Sequence, residues 1–164
     1  MNNDPIDEIL EQWFDERPEL DTASLGVVLR VMNLYKSFHR QATRALEELD
    51  LELFEYDVLS ALRRQGSPFA LTATRLARET GMSSGAMTNR VDRLEKRKLV
   101  VRLPDKSDRR GVIVSLTKIG RKLIDKAILL RLDVADEGLT GITKKERRQL
   151  ASLLRKVRLS SQMN

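Results

Sequence analysis

The chain has no cysteine, one histidine, four prolines and seven aromatic side chains (four Phe, one Trp and two Tyr) in 164 residues, and each shortage closes a class of explanation. Without cysteine there is no disulfide framework, no thiolate metal site and no thiol nucleophile. One histidine and no acid cluster at metal-ligand spacing leave nothing for hydrolytic or metal-assisted chemistry, so neither an enzyme nor a resident cofactor is expected. His39 sits in a long helical pattern, where packing or surface is the more frequent role than sensing. No apolar run reaches the roughly 18 residues of a membrane span. The first residues are acidic where a secretory leader is basic, so a cytoplasmic protein with no membrane partner is expected.

What is present is charge, unevenly placed. Residues 1–21 hold eight acids against Arg17 alone, a net −7, so the rest of the chain carries +13 within a total of +6. Residues 78–110 have ten Lys or Arg against five acids, in a stretch with helix-turn-helix spacing. A polyanion is the natural partner of such a body, and double-stranded DNA is the expected one. A merely solvated basic surface is the alternative that charge alone leaves open. At this length, with 41% apolar residues, one domain with its own core is expected over 1–164.

Local punctuation predicts mostly helix. Asp4 followed by Pro5 supplies a cap acceptor and a proline where the missing N–H is harmless, and Ile6, Ile9, Leu10, Trp13 and Phe14 recur at helical spacing up to Pro18. A long helix runs from Ser24 to about Leu49, and another through Phe54, Val58, Ala61 and Leu62 stops at Gly66-Ser67-Pro68. A short helix spans Leu71 to Thr80 and ends at Gly81; Ser83 or Ser84 then caps a helix running to Arg97, so a tight turn joins the two. Leu99–Leu103 and Val112–Leu116 read as a hairpin around a basic loop. Thr117 caps the next helix, Gly138–Gly141 breaks it, and Thr143-Lys144-Lys145-Glu146 is a capping box opening the last.

The helix from Ser84 has the two faces that a major-groove reader needs. At about 100° per residue, Met87, Val91 and Leu94 fall within one arc, while Gly85, Asn89, Arg93 and Lys96 cluster opposite; Ser84 and Thr88 are counted with them as candidate DNA contacts. Asparagine suits adenine, arginine suits guanine or phosphate, and Gly85 permits close approach. Lys106, Arg109 and Arg110 in the hairpin loop are placed to follow phosphates or enter a minor groove. Asp108 can hold Arg110 by a bidentate pair, which makes Arg109 the freer contact.

Asp108-Arg109-Arg110-Gly111, the alternating run to Leu116, then Thr117 and Gly120, together with Met87-Thr88-Asn89-Arg90-Val91-Asp92-Arg93-Leu94-Glu95, resemble the MarR family of bacterial regulators. The resemblance implies a mainly α fold: a winged helix-turn-helix over 52–116, with N- and C-terminal helices (22–50 and 118–164) forming a dimerisation region, in a homodimeric repressor of pseudo-palindromic operators. The acidic front end, Gln12-Trp13-Phe14-Asp15-Glu16-Arg17-Pro18, resembles the extra first helix (1–21) of the urate-responsive UrtR branch. That narrower resemblance implies a site for a small aromatic anionic effector such as urate, held by Trp13, Asp57, Arg90 and Arg102. The residues themselves add that Arg90 lies about 60° from Met87, at the edge of the anchored face. A structural Asp57–arginine ion pair and a purely packing Trp13 stay open as alternatives. A non-sequence-specific architectural DNA-binding protein without ligand control is the alternative function.

Overall fold

The computed structural model describes residues 3–105, 108 and 111–161, and the chain divides into two compact units, 1–41 and 42–164. The first unit holds α1 (Pro5–Glu16) and most of α2 (Ala23–Glu47). Asp4 caps α1, accepting from the Ile6 and Asp7 amides at 2.9 and 3.0 Å, while its own amide donates to Asp7 at 2.8 Å. Arg30 of α2 grips this cap, donating to both Asp4 oxygens at 2.9 and 3.1 Å and to Asp7 at 2.6 Å. Desolvation works against the charge on Asp4, but the Arg30 guanidinium and the two helix amides prevail and hold its carboxyl below the usual range.

The second unit contains the end of α2, then α3 (Leu53–Arg64), β1 (Ala70–Thr72), α4 (Ala73–Thr80), α5 (Ser84–Lys96), β2 (Val100–Pro104), β3 (Val112–Leu116), α6 (Lys118–Glu137) and α7 (Lys144–Ser160). The strands form one antiparallel sheet in the order β1-β3-β2, with Leu71 opposite Val114 and Arg102 opposite Val114 on the other edge. One core joins them: Val58, Leu59 and Leu62 of α3, Leu76 of α4, Met87, Val91 and Leu94 of α5, Val100 and Val114 of the sheet, and Ile124 and Ala127 of α6 are all buried. Helix α3 sits at its centre, with Val58 to Leu62 buried without a break.

Most element ends fall where the local chemistry places them, including the Ser83, Thr117 and Thr143 caps and the left-handed Gly81 (φ 67°) that closes α4. One element differs. Leu71 and Thr72 read as the start of a helix, yet they form β1, because Leu71 is buried against β3 while Thr72 stays extended to cap α4. Three residues are too few to show strand alternation. Gly120 has a tertiary reason: a Cβ there would stand 2.0 Å from the Leu99 carbonyl oxygen, so only glycine lets α6 start against the end of the α5–β2 turn.

Candidate nucleic-acid interface

Two helices joined by a turn from Gly81 to Ser83, followed by a β2–β3 hairpin, place α5 with one face on the core and the other outward. Met87, Val91 and Leu94 are at most 1% exposed, so nearly all their apolar area anchors the helix. Gly85, Asn89, Arg93 and Lys96 lie on the opposite side, and all of them, with Ser84 and Thr88, are exposed. The side chains of Asn89 and Lys96 have no hydrogen bond or ion pair among the described residues, while the Thr88 hydroxyl donates to the Ser84 carbonyl at 3.1 Å. A Cβ at Gly85 would meet nothing within 4 Å, so nothing inside the chain demands glycine there. Lys106, Arg109 and Arg110 lie outside the described residues, as would the Asp108–Arg110 pair. At the base of the loop, the Asp105 amide donates to the Gly111 carbonyl at 3.0 Å.

Among the described cations of this set, Arg93 has a carboxylate partner. It is ion-paired with Glu52, the residue before α3, and its guanidinium lies 4.9 Å from the centre of the Phe54 ring. The hydrogen bond to Glu52 holds the Arg93 proton more tightly than usual. Arg90, half-buried at the edge of the anchored face, stacks over the same ring at 3.9 Å. Arg102 reaches from β2 along α5, meeting Asp92 at 2.6 Å, Glu95 at 2.5 Å and the Thr88 carbonyl at 3.2 Å. Desolvation works against its charge, but the two carboxylates prevail and raise its proton affinity. Asp57 lies on α3, and Trp13 is exposed on α1 of the other unit. Within that first unit an open cleft of about 530 Å³ lies between the start of α1 and Arg30, Asn33, Ser37 and Arg40 of α2; none of the site residues named above lines it.

The partners Glu52, Phe54, Asp92 and Glu95 were not among the residues that sequence reasoning singled out for the site. Neither was the buried Glu55, which Arg97 meets at 2.5 Å while also reaching Asp50 at 3.2 Å. Asp92 and Glu95 share α5 with the reading face and Phe54 was legible as a core position, but nothing local joins Glu52 to Arg93 or Glu55 to Arg97, each pair about forty residues apart.

A turn-linked helix pair, a three-stranded sheet and a hairpin after the second helix define a winged helix-turn-helix protein. The model of the MarR family matches residues 49–111. The chain is 28% identical over 152 residues to the HTH-type transcriptional regulator PecS of Dickeya dadantii, covering 93% of this chain and 92% of that one. It is 31% identical over 134 residues to the multiple antibiotic resistance protein MarR of Escherichia coli, covering 81% and 90%. A structure of a mutant of that MarR, complexed with operator DNA, superposes with a TM-score of 0.71 at 27% identity, covering 88% and 96%. Bordetella bronchiseptica BpsR, whose structure is described by the regulation of its DNA binding by 6-hydroxynicotinic acid, superposes with a TM-score of 0.69 at 28% identity, covering 82% and 98%. The chain belongs to the MarR family of transcriptional regulators.

Proposed function

We propose that this regulator is a cytoplasmic repressor of the UrtR branch, which binds a pseudo-palindromic operator as a homodimer and leaves it when a small aromatic anion such as urate binds. The observation that carries the DNA reading is the two-faced α5: three core anchors on one side, and on the other an open glycine with Asn89 and Lys96 unpaired among the described residues. Such a helix presents small and polar side chains to base edges while its apolar face fixes its angle. The E. coli MarR bound to operator DNA supports the same use of the same fold. Homodimerisation is supported by α7, which buries none of its residues and exposes Leu150, Leu153, Leu154 and Val157 at helical spacing.

The effector class is supported by BpsR, whose DNA binding is regulated by 6-hydroxynicotinic acid, and by the chemistry of Arg90. Arg90 is on the reading helix yet turned to an aromatic ring rather than to a carboxylate, so its charge is available to an anion. Arg102, in contrast, already has two carboxylates, which an anion would have to displace. Asp57 and Trp13 enter the effector reading through the resemblance to the UrtR branch. A ligand acts only by binding the DNA-competent and released states unequally, and Arg90 gives it a handle on α5. Titrating urate into the protein–operator complex tests this. Release at millimolar urate that is lost in Arg90→Ala is expected; no release, or unchanged release in that variant, overturns the effector. Equal affinity for selected and random duplexes would instead favour an architectural DNA-binding protein.

A further inference from the structure

Arg93 sits among the outward residues of α5, but the carboxylate of Glu52 and the ring of Phe54 already occupy it. Both partners come from the start of α3, and both charged side chains are about half exposed, at 54% each. Such an exposed pair is weak, screened by salt and easily exchanged. A DNA phosphate offers the guanidinium the same geometry as a carboxylate, within a much stronger field of like charges. We propose that Glu52 is an internal stand-in for a DNA phosphate: it holds Arg93 in the free protein and yields it when DNA binds, so that it tunes operator affinity without contacting DNA. The inference rests on α5 as the DNA-reading helix.

Three physical consequences follow from this exchange. Removing the Glu52 charge leaves Arg93 free in advance, so affinity for DNA rises by the strength of an exposed ion pair, roughly two- to fivefold. The rise requires Arg93, since Glu52 acts through it. It shrinks as salt screens the pair that it removes, so the salt dependence of Glu52→Gln is slightly steeper than that of the parent. A general field effect of one fewer acid lacks the second property. Asp50 provides the comparison: it lies two residues away, its side chain is fully exposed, and it meets Arg97 instead of Arg93.

The test uses the full chain and a duplex that the wild-type protein selects from a random pool. Kd is measured across a salt series for wild type, Glu52→Gln, Arg93→Gln, the double variant and Asp50→Asn, with thermal unfolding to confirm that each is folded. The expected result is tighter binding for Glu52→Gln, weaker binding for Arg93→Gln, no gain from Glu52→Gln in the Arg93→Gln background, and a smaller gain for Asp50→Asn. Unchanged affinity in Glu52→Gln overturns the proposal while leaving DNA binding intact. So does a gain that persists without Arg93, or one that Asp50→Asn equals. If wild type selects no duplex, the DNA reading fails and the proposal with it.

Discussion

Helices α5 and α7 have the same pattern and opposite fates. Each is an amphipathic helix with leucine, valine or methionine at three- and four-residue spacing and a basic remainder. Met87, Val91 and Leu94 of α5 are sealed in the core, whereas Leu150, Leu153, Leu154 and Val157 of α7 are between 38% and 60% exposed. An apolar stripe states that a helix wants a partner; it does not say whether the partner is in the same chain. In α5 the partner is α3, α4 and the sheet. In α7 the stripe is exposed in its own chain, and a second copy of the chain is the partner proposed above.

The sharpest way to break this comparison is to truncate a stripe residue on each helix. Leu94→Ala is expected to cost about 2–5 kcal/mol in urea unfolding, because a fully buried leucine leaves both lost transfer energy and a cavity. Leu153→Ala at equal length should cost the isolated chain only a few tenths of a kcal/mol, as at other exposed positions. Comparable losses at protein concentrations too low for self-association would mean that α7 is packed within its own chain, whereas a loss that grows with concentration points to a second copy.

Next in size is the ion pair at the base of α5. Glu55 is wholly buried and Arg97 meets it at 2.5 Å from just beyond the helix end. Arg97→Met strands a buried carboxylate, and a loss of roughly 2–4 kcal/mol is expected, the lower part of that range reflecting that Arg97 is itself about one-third exposed. Arg97→Met with Glu55→Leu should recover much of it, read by the same unfolding curves. No recovery would show that the pair is worth more than its desolvation.

The outward face of α5 gives a smaller effect of another kind. Asn89→Ala should weaken binding to the selected duplex by about 1–3 kcal/mol while leaving random DNA unchanged, in fluorescence anisotropy at matched salt. Lys96→Gln should weaken both alike and lower the salt slope by about one. The reverse assignment would exchange base reader and phosphate contact.

The smallest expected effect on the chain itself, and the most telling for α7, is Leu154→Asp. Far-ultraviolet circular dichroism should be unchanged, while sedimentation shifts toward monomer at concentrations where the parent is dimeric. An unchanged sedimentation profile would overturn α7 as a dimer interface.

Much of this was legible locally. Asp4-Pro5, Ser83, Thr117 and the Thr143–Glu146 box are complete within one helical turn, and each caps the helix that it marks. The two faces of α5 were equally legible, since 100° per residue is enough to divide Met87, Val91 and Leu94 from Asn89 and Lys96. The covalent chain dictates these because the interacting groups are three or four residues apart. Tertiary structure alone decided the rest: that Leu71 and Thr72 are strand rather than helix, that Gly120 must lack a side chain beneath Leu99, and that Arg93 and Arg97 end on Glu52 and Glu55. Those partners are tens of residues distant, and an arginine's sequence position says how it can reach but not which carboxylate the fold will bring to it.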